Sequence, residues 1–388
     1  MPANPTVQDF VADAQVWRRD IHANPELLYD VQRTAEFVAE RLRAFGCDDV
    51  QTLIGKSGVV GVIKGRHGDS GRVIGLRADM DALPIQEQTN LPYRSQVEGK
   101  MHACGHDGHT AMLLGAANYL AQTRNFAGTA IVIFQPAEEG GGGAKAMLED
   151  GLMERFGIQE VFGMHNMPLL PVGAFALRKG PLMAAADSFK IRIEGKGGHA
   201  ASPHTCIDPL LAGANIVTAL QSIVSRNVDP LESCVVSVTR FDAGTAFNII
   251  PQTAELWGTV RTLTNAARDL AERRMREVIA GVSAAHGVTT TFEYDRGYPP
   301  TLNHADQTDF AVSIARKVAA DAQVFPNVPP VMGAEDFSYM LEARPGAFIF
   351  IGNGDTAGLH HPAYDFNDAA LPFGMSYWAE LVETSMAA

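Results

Sequence analysis

Cysteine is scarce in this chain, with four residues in 388 and no Cys-x-x-C pair. The four thiols, Cys47, Cys104, Cys206 and Cys234, are scattered along the sequence. A disulfide scaffold needs paired cysteines at high density, so this distribution argues against one. Few and scattered thiols are typical of a reducing compartment, and we therefore expect a cytoplasmic protein.

Positive charge and long apolar runs are also lacking. Lys and Arg total 31 against 44 Asp and Glu, which gives a formal net charge of −13. This deficit argues against nucleic acid or an anionic membrane as a partner. No apolar stretch is long enough to cross a bilayer, and the N-terminal residues carry charges where a signal peptide has its apolar core. We expect neither a nucleic-acid nor a membrane partner.

Strand-length apolar runs alternate with helical patterns in the first and last parts of the chain. Buried strands are predicted at residues 59–63, 73–76, 130–134, 161–164 and 348–351. Such alternation indicates an α/β fold with a mainly parallel sheet. A chain of this length is long for one core, so two domains are expected. We assign residues 1–183 and 298–388 to the parallel-sheet domain, which carries the candidate catalytic residues.

The sequence pattern changes near residue 184. Residues 189–193 alternate apolar and charged side chains, as in a half-buried antiparallel strand. The elements predicted across 184–297 follow the order β-α-β-β-α-β, which is that of a ferredoxin-like unit. The sequence therefore predicts an inserted α+β domain within the catalytic domain.

A dense group of metal-binding side-chain types occurs at residues 101–109, with three histidines, one cysteine and one aspartate. Imidazole and thiolate suit zinc and similar divalent ions. Cys104 and His106 are two residues apart in a Gly-rich segment, which permits both to bind one ion. The alternative is a buried cysteine beside a turn histidine. We interpret His102 and His109 as supporting or structural residues.

Further polar side chains follow the predicted strands, the last two of them after a Gly-rich loop. They are Asp79 and Asp81, Glu138 and Glu139, His165, and His360 and His361. Because the carboxyl ends of parallel strands meet at one edge of a sheet, these groups are expected to lie together. One glutamate of a pair can bind metal while its neighbour acts as general base, as metal-assisted hydrolysis requires. Alternatively, the glutamates form a solvated turn and the single histidines are capping residues. We interpret the chain as a metallohydrolase.

Eight segments of the chain match one family pattern as a set. They cover residues 77–84, 101–109, 136–139, 163–166, 195–204, 248–251, 333–337 and 359–362. In this order the chain resembles the metal-dependent aminoacylase and carboxypeptidase family, and within it the amidohydrolase branch of hippurate and indoleacetyl-amino-acid hydrolases. The resemblance implies hydrolysis of N-acyl amino acids with one or two divalent ions, Zn or Mn, with Co or Ni as further possibilities. It implies as metal ligands Cys104, His106, Glu139, His165 and His360.

The same resemblance implies roles for other residues. Glu138 is expected to be the general base and acid, with Asp81 as its supporting aspartate. The inserted domain is expected to act as a lid and to join a homodimer. Its His199 is expected to stabilise the oxyanion, and the alternative is a histidine in a surface turn.

The pair expected to bind the substrate carboxylate is Asn248 and Arg261; the alternative is a turn-capping asparagine and a surface arginine. The wider family has a histidine ligand where this chain has Asp79, which leaves the bridging group open. Two other functions remain, a dipeptidase or carboxypeptidase, and a binding protein without catalysis. Retention of Glu138 argues against the latter, because binding alone needs no base.

Overall fold

The computed structural model describes residues 6–387. These residues form two compact units. The first extends through Gly180 and returns over Leu302–Pro329 and from Asp336 onward; the second consists of Pro181–Thr301 and Pro330–Glu335.

The strands are numbered in chain order. They are β1 (Asp49–Ile54), β2 (Gly58–Lys64), β3 (Val73–Asp79), β4 (Thr129–Gln135), β5 (Glu160–Pro168), β6 (Phe175–Ala176), β7 (Gly180–Met183), β8 (Ala185–Glu194), β9 (Gly198–His199), β10 (Cys234–Ala243), β11 (Ile249–Ile250), β12 (Thr253–Thr262), β13 (Thr289–Arg296), β14 (Thr301–Asn303), β15 (Val324–Phe325) and β16 (Gly346–Gly354). The five strands predicted for the parallel sheet lie within β2, β3, β4, β5 and β16.

The helices are numbered in the same way. They are α1 (Val11–Ala23), α2 (Gln32–Phe45), α3 (His106–Thr123), α4 (Gly143–Glu149), α5 (Leu152–Arg155), α6 (Pro209–Arg226), α7 (Asn265–His286), α8 (Ala305–Val318), α9 (Phe337–Ala343) and α10 (Leu371–Ser385). Short 3₁₀ turns cover Val7–Phe10, Pro203–Thr205, Asp321–Gln323 and Asp368–Ala370. Across residues 6–387, none of the helices combines the length and apolarity needed to span a membrane.

The first unit is built on one eight-stranded sheet with the strand order β1-β2-β4-β3-β5-β16-β6-β15. Its four central strands, β4, β3, β5 and β16, run parallel to one another. They are rich in Val, Ile and Phe and are buried along almost their whole length, as expected for strands covered on both faces. The prediction of an α/β fold with a mainly parallel sheet is confirmed.

Helix α3 is buried on nearly all sides, which its apolar composition favours. Helix α10 packs closely against it at Gly374, where an added Cβ would lie 2.0 Å from the Met112 sulfur. Only a residue without a side chain permits this approach. Helix α10 therefore packs closely against α3, the helix whose first residue is His106.

The second unit contains a four-stranded antiparallel sheet with the order β10-β12-β8-β13. Its chain order is β8-α6-β10-β12-α7-β13. Alternate residues of β8 and β12 are buried. In the core of this unit, side chains of the sheet are clustered with apolar residues of α6 and α7.

The second unit extends beyond the predicted insertion of residues 184–297. The amide of Ala186 donates to the Tyr298 carbonyl at 3.0 Å, which adds residues after 297. Residues 330–335, predicted to be part of the catalytic domain, also lie in this unit. The amides of Ala184 and Val331 donate to the carbonyls of Gly333 and Leu182 at 2.8 and 3.0 Å. These distant backbone pairings have no signal in the local sequence pattern.

Asp187 of β8 is a buried carboxylate within the second unit. The guanidinium of Arg268 on α7 donates to it through Nη2 at 2.5 Å and Nε at 3.0 Å. The Tyr294 hydroxyl on β13 donates at 2.7 Å and the Gly297 amide at 3.2 Å. One carboxylate thus ties α7 and β13 to β8 through charge-assisted hydrogen bonds.

We expect Asp187→Ala to lower the free energy of unfolding by about 3–5 kcal/mol, because it leaves the buried Arg268 cation without its partner. Urea denaturation measures the loss, and hydrogen exchange of α7 assigns it to the second unit. The control is Glu194→Ala, which removes the exposed ion pair with Arg192 and costs less than about 1 kcal/mol. Equal losses in the two variants would contradict this account.

Candidate metal centre

The candidate ligands lie at the carboxyl ends of the central parallel strands and in the loop that enters α3. Glu138 and Glu139 follow β4, His165 is within β5 near its end, and His360 follows β16. Because these strands belong to the parallel part of the sheet, with β3 between β4 and β5, their ends place residues far apart in sequence at one edge. His106 is the first residue of α3.

Gly105 turns the chain between Cys104 and α3. Its φ of +87° lies in the left-handed region, and a Cβ would lie 2.2 Å from the Asn166 side-chain nitrogen. Both observations require glycine at this position. The turn places Cys104 and His106 at the same site, as the Gly-rich segment predicted.

The structure brings all five predicted ligands together. The ligand atoms of Cys104, His106 and His165 lie within 4.8 Å of one another, and so do those of Cys104, Glu139 and His360. The Cys104 sulfur is 3.4 Å from Nε2 of His165. Oε1 of Glu139 is 3.3 Å from Nε2 of His360 and 3.9 Å from Nε2 of His106. The two groups share Cys104, so the five residues form one candidate site.

The ring of His106 indicates that these residues fit a divalent metal. It is fully buried, and neither nitrogen makes a hydrogen bond to the residues described here. Its nearest anionic oxygens are 3.5 Å away, on Asp81, and 3.7 Å away, on Asp79. Buried polar groups are nearly always satisfied. A donor set of thiolate, imidazoles and carboxylate suits zinc and related first-row ions.

The site is electrostatically prepared for a cation. Burial lowers the pKa of His106, but Asp79, Asp81 and Glu139 outweigh it and raise that pKa to about 10. Burial, followed by Glu139 and Glu138, raises the pKa of the Cys104 thiol well above its usual value. The surrounding negative charge thus favours a positive group at this position, and a bound cation would favour the Cys104 thiolate.

Asp81 holds the backbone of the glutamate pair. Its two carboxylate oxygens accept the amides of Glu138 and Glu139 at 2.9 and 3.1 Å. In a straight strand, neighbouring side chains point to opposite faces. The chain departs from this geometry at Ala137, whose φ is +55°, directly before the glutamate pair. An alanine in the left-handed region is uncommon and has no sequence signal.

The Asp79 carboxylate is occupied by its own partners. Oδ1 accepts from Nδ1 of His109 at 2.6 Å, and Oδ2 accepts from Nη1 of Arg77 at 2.7 Å. Burial opposes ionisation of Asp79, but His106 and Arg77 hold its pKa well below the usual value. A carboxylate oxygen of Asp79 and ring nitrogens of His106 and His109 also lie within 4.8 Å of one another, near enough for a metal. Because Asp79 and His109 pair with each other, we interpret them as supports, which agrees with the prediction for His109.

Sequence reasoning missed a buried charged network behind the site. Arg18 on α1 contacts the carboxylates of Asp107 at 3.5 Å and Asp368 at 2.7 Å. His22, one turn further along α1, lies 2.8 Å from Asp107 through Nδ1 and 3.4 Å from Glu87 through Nε2. Asp107 follows His106 directly. The available signal was the i, i+4 spacing of Arg18 and His22, beside the apolar residues of α1.

Three predicted residues lie on the second unit. His199 is exposed and pairs with Ile249 in the short ribbon of β9 and β11, and the Asn248 carbonyl accepts the Ala200 amide at 3.1 Å. His199 and Asn248 are therefore neighbours on this ribbon. Arg261 lies in β12 and donates to the Thr259 hydroxyl and to the Val260 carbonyl. Within residues 6–387, no hydrogen bond or ion pair joins Arg261 to His199 or Asn248.

Known proteins are similar to this chain in sequence and fold. Residues 75–384 match the model of peptidase family M20/M25/M40. Hippurate hydrolase of Campylobacter jejuni is 46% identical over 97% of each chain, and N-acetylcysteine deacetylase of Bacillus subtilis is 43% identical over 94% of each. A crystal structure from Bacillus subtilis, described as a dinuclear metal-binding peptidase from the M20 family, has a TM-score of 0.86 and 38% identity. It covers 98% of this chain and 99% of its own.

The charged state of His22 makes stability depend on pH. Burial lowers its pKa, but Asp107 and Glu87 raise it to about 9. A histidine whose pKa is raised by folding contributes its full stabilisation of the folded state at pH values below its unfolded-state pKa, which is near 6.5. This stabilisation is lost as the pH rises through the folded-state pKa of about 9. The shift corresponds to about 3 kcal/mol.

We therefore expect the stability difference between wild type and His22→Gln to shrink by about 3 kcal/mol from pH 6 to pH 10. Urea denaturation at a series of pH values measures it. The contributions of the other titrating groups cancel in the difference between the unfolding free energies of the two proteins. His67→Gln, at an exposed histidine, is the matched control and should follow the wild-type profile. Parallel profiles for wild type and His22→Gln would refute this assignment.

Proposed function

The chain belongs to peptidase family M20/M25/M40, and we propose that it is a metal-dependent amidohydrolase of N-acyl amino acids. The reaction cleaves the amide bond to release a carboxylic acid and an amino acid. The observation that carries this proposal is the convergence of the ligand set around the buried, unsatisfied ring of His106. Two relatives named for N-acyl amino acid substrates, hippurate and N-acetylcysteine, support it.

The residues that would hold the metal are Cys104, His106, Glu139, His165 and His360. Zinc or manganese suits this set, with cobalt or nickel as further candidates, and one or two ions could be held. When bound, the ion polarises the amide carbonyl and lowers the pKa of water toward about 7. Burial, followed by His109, holds the pKa of His165 well below its usual value, so its ring is neutral, as a ligand must be.

Glu138 is the general base and acid in this proposal. Its side chain is buried beside His106 and Glu139, within 4.8 Å between ligand atoms. Glu138 takes a proton from the attacking water as the water oxygen bonds to the carbonyl carbon. It then delivers that proton to the amide nitrogen as the C–N bond breaks. Asp81 keeps Glu138 in place through the backbone amide.

The second unit supplies the remaining proposed elements. Its chain order and strand order support a ferredoxin-like fold. We propose that it acts as a lid and joins a homodimer, as the family resemblance implies. The exposed ring of His199 is available to stabilise the oxyanion of the tetrahedral intermediate once the domains close or a second subunit approaches. The cytoplasmic location expected from the scattered cysteines stays a prediction.

The direct test of the activity uses the purified protein with benzoylglycine as substrate. We expect hydrolysis with zinc or manganese, none after chelation, and recovery when the metal is returned. A panel of dipeptides tests the alternative dipeptidase or carboxypeptidase function. Higher kcat/KM on dipeptides than on every N-acyl amino acid would favour that alternative. Metal binding with no turnover of any substrate would favour a binding protein.

Glu138→Gln should retain metal while its rate of hydrolysis falls at least ~100-fold, because the amide cannot accept a proton. Metal content and kcat measured on the same preparation separate the two effects. Glu139→Gln is the matched control at the adjacent position, and it should lose metal. If the Glu138 variant loses metal and the Glu139 variant keeps it, the two roles are exchanged.

The carboxylate of the substrate is proposed to be bound by Asn248 and Arg261. Arg261 is half-buried, and its Nη1 is held by neighbouring acceptors within β12. A guanidinium can bind a carboxylate through two parallel hydrogen bonds, a geometry that lysine cannot reproduce. This contact would select acyl amino acids that carry a free carboxylate.

We expect Arg261→Lys and Arg261→Ala to reduce kcat/KM for benzoylglycine about 10-fold or more, since a charge-assisted hydrogen bond is lost. Benzoylglycinamide should be a poor substrate for wild type and little affected by the substitutions. Arg240→Lys, at an exposed arginine of the same unit, is the control. Equal hydrolysis of the acid and the amide by wild type would exclude carboxylate recognition by this pair.

A further inference from the structure

Asn166 is the residue through which several parts of the metal centre are connected. Its backbone carbonyl accepts from Nδ1 of His165 at 2.6 Å, and its backbone amide donates to Nε2 of His109 at 2.9 Å. Its side-chain nitrogen donates to the Cys104 carbonyl at 2.6 Å. Its side-chain oxygen accepts from the Tyr364 hydroxyl at 2.7 Å. All four polar groups of Asn166 are therefore used, each on a different residue.

The hydrogen-bonding chemistry determines how these groups are oriented. The Cys104 carbonyl can only accept, so the Asn166 amide nitrogen must face it and the amide oxygen must face Tyr364. Likewise, the Asn166 carbonyl requires the proton of His165 to lie on Nδ1. Nε2 of His165 is then unprotonated and faces the Cys104 sulfur at 3.4 Å. This is the tautomer that can bind a metal through Nε2.

Asn166 and Tyr364 together fill the space over Gly105. A Cβ on Gly105 would lie 2.2 Å from the Asn166 nitrogen and 2.5 Å from the Tyr364 oxygen. Both side chains are fully buried. The turn between Cys104 and α3 is thus pressed against this pair.

Tyr364 extends the connection to the segment that carries His360. The Tyr364 amide donates to the His361 carbonyl at 2.9 Å, and the His360 amide donates to the Ala103 carbonyl at 2.7 Å. His360 has a φ of +63° although its side chain is half-exposed. A non-glycine residue keeps such a conformation only when its surroundings impose it. The loop is therefore attached to the Cys104 segment directly and also through Tyr364 and Asn166.

We propose that Asn166 and Tyr364 are positioning residues that set the mutual placement of Cys104, His165 and His360. This inference rests on the proposed metal centre. Neither residue needs to touch the metal or the substrate. Their side chains align the segments that carry the ligands, and partners of this kind typically change metal affinity or activity 10–100-fold when removed.

The test is a cobalt titration of the full-length, metal-depleted protein. Binding is monitored by the absorption of the Cys104 thiolate–cobalt band and of the visible cobalt bands. Tyr364→Phe removes only the hydroxyl, and we expect about a tenfold loss of cobalt affinity with shifted bands. Asn166→Ala should lose up to about 100-fold. In hydrolysis assays, kcat should fall while KM changes little. The control is Tyr377→Phe, at a tyrosine equally buried in α10 against Phe175, and it should match wild type.

Wild-type cobalt affinity and spectrum in Tyr364→Phe would overturn the proposal, whatever its activity, and so would an equal change in Tyr377→Phe. Tyr364→Phe decides the matter even if Asn166→Ala fails to fold. The proposed function fails separately if cobalt-loaded wild type hydrolyses no N-acyl amino acid while Tyr364→Phe still alters cobalt binding. Absence of any cobalt binding by wild type would overturn both.

Discussion

The accumulation of negative charge at one edge of the parallel sheet is the constraint on which the rest of the site depends. Asp79 and Asp81 are almost fully buried, and Glu138 and Glu139 lie beside them. Burying a charge without a partner is strongly unfavourable. Arg77 neutralises Asp79, to which His109 also donates, and the amides of the glutamate pair satisfy Asp81. Oε1 of Glu139 lies 3.3 Å from Nε2 of His360 and 3.9 Å from Nε2 of His106, and the proposed divalent ion would add positive charge at this point.

Separate elements of the fold position the ligands and compensate the buried charges. Parallel strands carry the ligands to one edge, and the tightly packed α3 fixes His106. Arg18 and His22 compensate Asp107 from the other side of α3, so a second charged network stabilises the segment that begins with His106. Asn166 then connects the ligand-bearing loops. Site geometry and folding stability are thus properties of the same buried interactions.

Much of the site could be predicted from sequence because its chemistry is local. The glutamate pair and the isolated His165 each follow a strand-like run, and parallel strands bring such ends together. The Cys104 and His106 pair is recognised by its spacing in a Gly-rich segment. The family resemblance was needed to choose His360 over His361. Nε2 of His360 lies 3.3 Å from Oε1 of Glu139, and the choice of His360 as a ligand stays a prediction.

Features that depend on distant partners could not be predicted in this way. The contact of Arg18 with Asp368 joins residues 350 positions apart, and no local sequence pattern predicts it. The left-handed Ala137 is imposed by its surroundings and not by its own preference. Residues 330–335 belong to the second unit through backbone hydrogen bonds. Every residue except proline has a backbone N–H that can donate, so the residue types carry no signal for this pairing. Asn166 lies within the matched segment 163–166, but its importance comes from four contacts that sequence spacing does not encode.

Anomalous scattering from crystals grown with zinc or manganese tests the central claim most directly, because it locates the ion independently of activity. The account predicts one or two strong peaks at the carboxyl edge of the sheet. For zinc, ligand distances of about 2.0–2.3 Å are expected. The ligands should be Cys104, His106, Glu139, His165 and His360. A fully loaded crystal with no peak among these residues, or with peaks only elsewhere on the chain, would contradict it.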